Sequence, residues 1–328
     1  MKILILRFSS IGDIVLTTPV IRALKQQVPG AVVHYCTKPN FKALIAHNPY
    51  IDKIHYLPEK LNDLVSELKA EKFDYVVDLH NNLRTRLIRF KLGVPAKGFD
   101  KLNIQKWLLV NLKIYLLPDV HIVDRYLAAA AKLGVKNDGL GLDYFIPAAD
   151  EVTKSSLPLS HQTGYVALAI GAQHATKRLP VARIIELCEK INRPIILLGG
   201  KEDGATGEAI RQYFEQSSRL TSNGQRTTIF NACGRYNLNQ SASLVRQAEF
   251  VFSHDTGLMH IAAAFKKKIF SIWGNTVPEF GMYPYRTDFT VLENRNILCR
   301  PCSKIGYAAC PQGHFKCMRE IKFEFTLP

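Results

Sequence analysis

The sequence predicts an α/β protein made of two Rossmann-like domains, and three observations support this. The chain has 328 residues, which exceeds the usual size of one hydrophobic core and fits two domains of common size. Short apolar runs typical of buried parallel strands alternate with helical patterns along the chain. A stretch rich in Pro, Ser and Thr, residues 147–163, interrupts this alternation and predicts a linker.

The first domain is predicted to open with a strand, a tight turn and a helix. Lys2 to Leu6 is the strand, residues 9–13 form the turn, and a helical pattern runs from Val15 to Leu24. Further strands are predicted at Ala31 to Tyr35, Tyr75 to Leu79, Tyr165 to Ile170, Ile195 to Leu198, Phe250 to Ser253 and Ile269 to Trp273. Each half begins its own series of strands, so we place the domains at 1–155 and 156–328 and expect a cleft between them.

One helical segment, Ile104 to Leu117, is unusually apolar and carries Trp107. Lys106 and Lys113 lie seven residues apart and therefore on one face of a helix. Two interpretations stay open. The helix packs its apolar side into the core of the first domain, or it rests on a membrane surface.

Composition narrows the class of protein. Apolar residues make up 47% and charged residues 22%, as in a packed globular protein rather than a disordered one. No apolar run approaches the ~20 residues that cross a bilayer, and Arg7 and Asp13 interrupt the start before a signal-peptide core could form. A cytoplasmic protein is expected. Its net charge of +15 favours an anionic partner, such as a phosphate, an acidic sugar, an anionic lipid or a nucleic acid.

The turn Ser9-Ser10-Ile11-Gly12-Asp13 follows the first strand, at the sheet edge where open α/β proteins bind ligands. Gly12 lets the backbone turn closely. Asp13 is a candidate catalytic carboxylate, but an Asp at such a point also caps the helix that follows. Local sequence leaves both interpretations open.

A second candidate site lies at residues 253–260 (SHDTGLMH), between a predicted strand and an Ala-rich helix. The backbone N–H groups of Thr256, Gly257 and Leu258 would be free at the helix start, which suits a diphosphate. Gly257 removes the side chain that would block close approach, and His260 could donate to a phosphate or hydroxyl oxygen. Asp255 and Thr256 could also serve as plain helix caps.

Lys177 and Arg178 follow another predicted strand and would face the same crevice, although such pairs are often solvated surface charge. Two phosphate-binding motifs are missing: the chain has no Gly-x-x-x-x-Gly-Lys-Ser/Thr loop and no Gly-x-Gly-x-x-Gly turn. Their absence disfavours ATPases and simple NAD-dependent dehydrogenases.

Three segments in this order resemble the ADP-heptose:lipopolysaccharide heptosyltransferases of glycosyltransferase family 9. They are residues 2–19 (KILILRFSSIGDIVLTTP), 177–180 (KRLP) and 253–260 (SHDTGLMH), with Gly274-Asn275-Thr276 after the next strand. They span almost the whole chain. The resemblance implies the GT-B architecture, with the acceptor held by the first domain and the nucleotide sugar by the second.

The resemblance also implies an activity: inverting transfer of a heptose from ADP-heptose to the inner core of lipopolysaccharide, with Asp13 as general base and no cofactor. Tyr236 would stack on adenine and Glu202 would bind sugar hydroxyls. The implied donor-binding residues are Lys177, Arg178, Glu202, Tyr236, Asp255, Thr256, Gly257, Leu258 and His260. The implied acceptor-binding residues are Ser9, Ser10, Gly12, Arg84 and Arg86.

The positive charge fits either a phosphorylated acceptor or an anionic inner leaflet, so peripheral contact with the inner membrane is part of this hypothesis. Two rival classes are considered. One is a nucleotide-sugar epimerase of GT-B-like fold, which would need more than one acid/base group. The other is a basic, Cys-rich nucleic-acid-binding protein, which is disfavoured because basic residues are spread over both halves and no recognition helix stands out.

Four cysteines crowd the end of the chain: Cys299, Cys302, Cys310 and Cys317. They could bind a structural zinc ion, with His314 as a substitute ligand, pack as reduced thiols, or form disulfides. A cytoplasmic location disfavours disulfides. A catalytic metal is not expected, because four protein ligands leave no open coordination position.

Overall fold

The structure, a computed structural model, describes residues 1–216 and 227–327 and divides the chain into two units. The first unit comprises Met1–Asn103 and Pro118–Phe145, and the second comprises Ile104–Leu117 and Ile146–Pro328. The change of unit at Phe145 comes earlier than the predicted limit of 155.

The strands of the first unit are β1 (Lys2–Leu6), β2 (Val32–Thr37), β3 (Lys53–Tyr56), β4 (Tyr75–Asp78) and β5 (Ala96–Gly98). They form one parallel sheet in the order β3-β2-β1-β4-β5. The order reverses between β1 and β4, so the loops that follow these two strands flank the topological switch point. Apolar runs such as Lys2–Leu6 suit β1 because a central parallel strand is covered on both faces.

The first six helices in the chain are α1 (Ile11–Val15), α2 (Thr18–Gln27), α3 (Leu61–Ala70), α4 (Leu83–Leu92), α5 (Asn103–Leu112) and α6 (Ile122–Ala130). A core cluster joins β1 and β4 to α3, through Leu4, Leu6, Val76, Leu64 and Leu68. Of these six helices, all except α5 belong to the first unit. The segment predicted as one helix, Val15 to Leu24, is divided, because α1 ends at Val15 and α2 begins at Thr18. Pro19 lies at the start of α2, where its missing N–H costs nothing.

The strands of the second unit are β6 (Val166–Ala169), β7 (Ile195–Leu198), β8 (Ile229–Asn231), β9 (Val251–His254), β10 (Ile269–Trp273) and β11 (Phe289–Glu293). Their parallel order is β11-β10-β9-β6-β7-β8. Its helices are α7 (Leu159–Gln162), α8 (Val181–Ile191), α9 (Gly204–Gln216), α10 (Leu238–Gln247), α11 (Gly257–Ala264) and α12 (Lys316–Arg319). The order reverses between β6 and β9.

Helix α5 does not pack into the core of the first domain, which was one of the two interpretations of residues 104–117. Its Leu109 packs on Val277 and Phe280 of the second unit, not into the core of the first. Trp107 remains 53% exposed. Lys113 donates hydrogen bonds to the carbonyl oxygens of Val110, Cys299 and Pro301, so it is not a free member of a basic stripe.

Candidate active site

Asp13 lies in α1 directly after the first strand, and three polar contacts reach one oxygen of its carboxylate. Oδ2 is 2.7 Å from Arg7 Nη2, 2.8 Å from Ser10 Oγ and 3.2 Å from the Ser10 backbone nitrogen. Burial disfavours the charged carboxylate, but Arg7 and Ser10 outweigh it and lower the pKa of Asp13 below 3.8. Asp13 is therefore ionised at neutral pH, and Oδ1 keeps its lone pairs. Asp13 is not the N-cap residue of α1, which is Ser10; it lies at the third helical position, and its carboxylate accepts from the Ser10 N–H as the second half of a capping box.

Arg7 was not singled out from the sequence, yet it fixes this turn. Its side chain is 8% exposed and donates to the carbonyls of Ser9 and Leu79 and to the hydroxyl of Tyr126. His80 follows β4 at the same switch point. Burial and the charge of Arg7 lower its pKa to about 4, so it is neutral at physiological pH.

The predicted acceptor residues fall into two groups in the first unit. Ser9 and Ser10 are accessible beside Asp13, whereas Gly12 is buried. Arg84 and Arg86 are exposed on α4, and Arg86 Nε donates to Asn81 Oδ1 over 3.1 Å. Helix α4 is well delimited, since Asn82 caps its first turn and Gly93 ends it at φ 68°.

In the second unit, Lys177 and Asp255 form an ion pair at the switch point between β6 and β9. Lys177 Nζ is 2.6 Å from Asp255 Oδ2 and 3.2 Å from the Asp255 carbonyl oxygen. Both side chains are mostly buried, at 16% and 11% exposed. An ammonium carries three N–H groups, so Lys177 has one left for a ligand. The sequence predicted each residue separately but not their pairing.

Helix α11 begins at Gly257, with Thr256 as its N-cap residue in extended conformation. The first amides of a helix have no partner inside it, so the N–H groups of Gly257 and Leu258 point out of the helix start. His260 is only 1% exposed, unlike the accessible donor that the sequence suggested. His254 adds a contact that was not predicted: its Nε2 accepts from the backbone N–H of Leu179 over 3.1 Å, linking β9 to the Lys177 loop.

Arg178 and Asp203 join the loops that follow β6 and β7. Arg178 Nε donates to the carbonyl of Ala172 over 2.6 Å, and its Nη1 lies 3.5 Å from Asp203 Oδ1. Asp203 is buried and accepts from the Gly200 N–H over 2.9 Å. Its neighbour Glu202 is exposed. Asp203 was missed because nothing in the sequence shows that it, rather than the adjacent Glu202, is the buried member of the pair.

Tyr236 is half-buried in the loop between β8 and α10. This loop lies against the Glu202 loop: the Gly234 N–H donates to the Gly199 carbonyl over 3.1 Å. Gly234 has φ +72°, and a Cβ there would lie 2.8 Å from Lys201 Cα. Glycine therefore allows the two loops to touch. The predicted donor residues all follow β6, β7, β8 or β9, which are neighbours in the sheet.

Within residues 1–216 and 227–327, one group of three potential metal ligands has its ligand atoms within 4.8 Å: His34, His55 and Glu71. His34 Nδ1 lies 2.9 Å from His55 Nε2, and His55 Nδ1 lies 2.5 Å from Glu67 Oε1. Lys2 and Lys53 both bind Glu71. The histidines are thus hydrogen-bonded and the carboxylate is neutralised without an ion.

The four C-terminal cysteines do not form such a group in the described part of the chain. Cys317 is buried, and Cys299, Cys302 and Cys310 are half-buried free thiols. Cys299 Sγ is 3.8 Å from His314 Nε2. Burial raises the pKa of the Cys317 thiol to about 12.

Comparison with known proteins decides the family. Residues 62–310 match the profile of glycosyltransferase family 9 (heptosyltransferase), a range that includes α4 and every predicted donor residue. This chain belongs to glycosyltransferase family 9. It is therefore a glycosyltransferase, as predicted from the three motif segments.

Individual heptosyltransferases are similar to this chain over most of its length. Lipooligosaccharide heptosyltransferase 2 of Haemophilus ducreyi is 27% identical over 305 residues, covering 85% of each chain. The structure of Escherichia coli ADP-heptose lipopolysaccharide heptosyltransferase II is similar with TM-score 0.69 at 21% identity, covering 98% of both chains. The structure of a second heptosyltransferase of Escherichia coli, with ADP, is similar with TM-score 0.64 at 20% identity, covering 89% of this chain and 93% of that one. These likenesses confirm the predicted fold class, α/β of GT-B type with two Rossmann-like domains.

Proposed function

We propose that this glycosyltransferase transfers a heptose from ADP-heptose to the inner core of lipopolysaccharide, with inversion at the anomeric carbon. Two findings support this choice of substrates. The chain belongs to glycosyltransferase family 9, and it is similar to heptosyltransferases of lipopolysaccharide and lipooligosaccharide. The proposal assigns the donor to the second unit and the acceptor to the first.

The observation that carries the donor assignment is the Lys177–Asp255 pair at the switch point between β6 and β9. Open α/β sheets bind their ligands at this point, outside the carboxyl ends of the strands. The start of α11 adds backbone N–H groups and the positive end of a helix dipole next to Asp255. A diphosphate is the anion that this arrangement suits.

The reaction needs one base and a stabilised leaving group. Asp13 Oδ1 takes the proton of the acceptor hydroxyl while that oxygen bonds to the anomeric carbon and the bond from this carbon to the phosphate oxygen breaks. ADP leaves with the electron pair of the broken bond. Lys177 and the amides of Gly257 and Leu258 stabilise its negative charge, with Arg178 assisting.

Adenosine recognition is assigned to the two loops that Gly234 brings together. Tyr236 offers an aromatic face to the adenine, and the exposed carboxylate of Glu202 can accept hydrogen bonds from the ribose hydroxyls. Both residues follow strands on the same side of β6. An adenosine extending from Lys177 toward β8 would pass them in order.

Acceptor binding is assigned to Ser9 and Ser10 beside Asp13 and to Arg84 and Arg86 of α4, whose charges suit a phosphorylated core. A peripheral contact with the inner membrane belongs to the same hypothesis. Three apolar side chains lie one helical turn apart on α4, and they are Leu83, Leu87 and Phe90, at 84%, 41% and 83% exposed. With the arginines between them, they suit an anionic lipid surface. Among the described residues no helix has the length and hydropathy needed to span a bilayer.

The direct test is transfer itself. The protein is incubated with ADP-heptose and a heptose-free lipopolysaccharide core, and the product is analysed by mass spectrometry and by NMR of the new anomeric centre. We expect one heptose per acceptor, inverted anomeric configuration and release of ADP. Retention, or no transfer although ADP-heptose binds, would contradict the proposal.

Two controls address the rival classes and the membrane contact. Conversion of the donor sugar without acceptor would indicate an epimerase, and salt-dependent binding to random duplex DNA would indicate a nucleic-acid-binding protein. For the membrane, wild-type protein should sediment with anionic vesicles and not with zwitterionic ones. The double variant Leu83→Asp/Phe90→Asp should lose this binding, and the matched control Leu140→Asp, at another exposed leucine of the first unit, should keep it.

A further inference from the structure

The Cys-rich part of the chain has no role in the proposed function, yet part of it contacts both sides of the Lys177–Asp255 pair. We propose that residues 299–307, the brace segment, hold the diphosphate site in shape, and that Arg300 is its positioning residue. This inference rests on the proposed donor site. All residues involved belong to the second unit.

On one side, the brace segment binds three successive residues of the loop after β10. Arg300 Nε donates to the carbonyl of Gly274 over 2.5 Å, and Arg300 Nη2 donates to the carbonyl of Thr276 over 2.9 Å. Between them, the Cys302 N–H donates to the carbonyl of Asn275 over 3.2 Å. The loop therefore cannot shift without breaking bonds to this segment.

Thr276 transmits this position to the ion pair. Its Oγ1 donates to Asp255 Oδ2 over 2.9 Å, the same oxygen that binds Lys177 Nζ over 2.6 Å. The threonine hydroxyl and the ammonium thus fix one carboxylate oxygen from two directions. Arg300 touches neither Lys177 nor the expected ligand, so it acts through Thr276.

On the other side, the brace segment pairs with the residue before Lys177. The Tyr307 N–H donates to Thr176 Oγ1 over 2.8 Å, and the Thr176 N–H donates to the Tyr307 carbonyl over 3.2 Å. Thr176 is 2% exposed. The brace segment therefore fixes both members of the ion pair, Asp255 through Thr276 and Lys177 through the adjacent Thr176.

The brace segment is itself anchored. Lys113 Nζ donates to the carbonyls of Cys299 and Pro301, the residues on either side of Arg300. The Arg300 guanidinium also lies 2.5 Å from Glu293, with both side chains 5% exposed. A buried arginine whose charge is paired can give its remaining N–H groups to carbonyls. Lysine could not reproduce this planar set of donors.

The test measures the affinity for ADP by calorimetry in four single-site variants. Thr276→Val keeps the shape of the side chain and removes the hydroxyl, so we expect ADP binding about fivefold weaker, as for one lost hydrogen bond. Thr276→Ser keeps the hydroxyl and should bind like wild type. Arg300→Lys should weaken ADP at least as much as Thr276→Val. Lys177→Ala is the reference that reports on the donor site itself.

Kinetics separate positioning from general damage. In Thr276→Val the KM for the donor should rise by a similar factor while the KM for the acceptor stays unchanged, a difference that general damage to the fold would not produce. Wild-type ADP affinity in both Thr276→Val and Arg300→Lys, together with weak binding by Lys177→Ala, would overturn the brace and leave the donor site intact. Wild-type affinity in Lys177→Ala would instead overturn the donor site.

Discussion

Arg7 Nη2 lies 2.7 Å from Asp13 Oδ2, and this ion pair determines how the candidate base can act. All three polar contacts of the carboxylate end on Oδ2. Asp13 is thereby oriented and kept ionised, while Oδ1 is left to receive a proton. The pair offers a structural reason why an aspartate in a capping position could also be a base.

Asp13→Asn separates the two roles of this residue. An amide oxygen can still accept from the Ser10 N–H, so the helix start and ADP affinity should be kept. Loss of the base should lower kcat by about 10²-fold to 10⁴-fold. Initial rates at saturating donor and acceptor give the answer, and near-wild-type turnover would leave Asp13 as a cap alone.

Arg7→Met is expected to change the pH dependence of the reaction. Burial then acts on Asp13 without its counter-charge, so the pKa of Asp13 rises. In the wild type the pKa of Asp13 lies below 3.8, so the carboxylate is ionised and able to accept a proton at pH 5 to 8. In the variant, kcat/KM at pH 5 to 6 should therefore fall relative to its value at pH 8. Equal losses at both pH values would mean that Arg7 supports only the fold.

The same pair contributes to stability in a defined pH range. Because the pKa of Asp13 is lower in the folded protein than its ordinary value of 3.8, its contribution is present above pH 3.8 and lost as the pH falls through the folded value. Removing Arg7 leaves a largely buried carboxylate unpaired, so urea unfolding at pH 7 should show a loss of about 3 kcal/mol.

Lys177→Ala should weaken ADP binding by about 1.5 to 3 kcal/mol, the range for hydrogen bonds to charged groups. The ion pair predicts a further effect, because the variant leaves the Asp255 carboxylate uncompensated beside the diphosphate. Lys177→Ala/Asp255→Asn should therefore bind ADP more tightly than Lys177→Ala. Calorimetry compares them, with Lys132→Ala, an exposed lysine of the first unit, as control for net charge.

Gly171→Ala tests the loop contacts around Asp203. A Cβ at Gly171 would lie 2.1 Å from Asp203 Oδ2, so the carboxylate must leave its place, and we expect a loss of about 1 to 3 kcal/mol in the free energy of unfolding. Gly204→Ala is the matched control, since its Cβ meets only the Cys233 carbonyl oxygen at 3.8 Å. It should be neutral or slightly stabilising. Similar losses in both variants would argue against the steric explanation.

The C-terminal cysteines are expected to be reduced thiols, which elemental analysis and thiol titration can check. Cys299, Cys302 and Cys310 are half-buried and Cys317 is buried. Of these four thiols, the three half-buried ones should react in the native protein, and that of Cys317 should react only after unfolding. One equivalent of zinc, with all four thiols protected until a chelator is added, would instead favour the structural metal site.

The central strands of both sheets were predictable from sequence. All seven predicted strands are present, and β1, β7 and β10 have the predicted limits. The four that were not predicted, β3, β5, β8 and β11, are the edge strands of the two sheets. Central parallel strands are covered on both faces and read as continuous apolar runs, whereas edge strands such as Lys53–Tyr56 are short and partly polar.

In the candidate site too, some features were predictable from the sequence and others were not. Asp13 and the start of α11 were predictable, because a turn after a strand and a helix start are written in consecutive residues. The pairing of Lys177 with Asp255, and the contacts of Arg7 and Arg300, join residues far apart in the chain. Their partners are chosen when parallel strands pair and their loops meet at one sheet edge. Sequence thus supplied the candidate side chains, and the tertiary structure decided which charges face each other, since distance in space sets the strength of an ion pair.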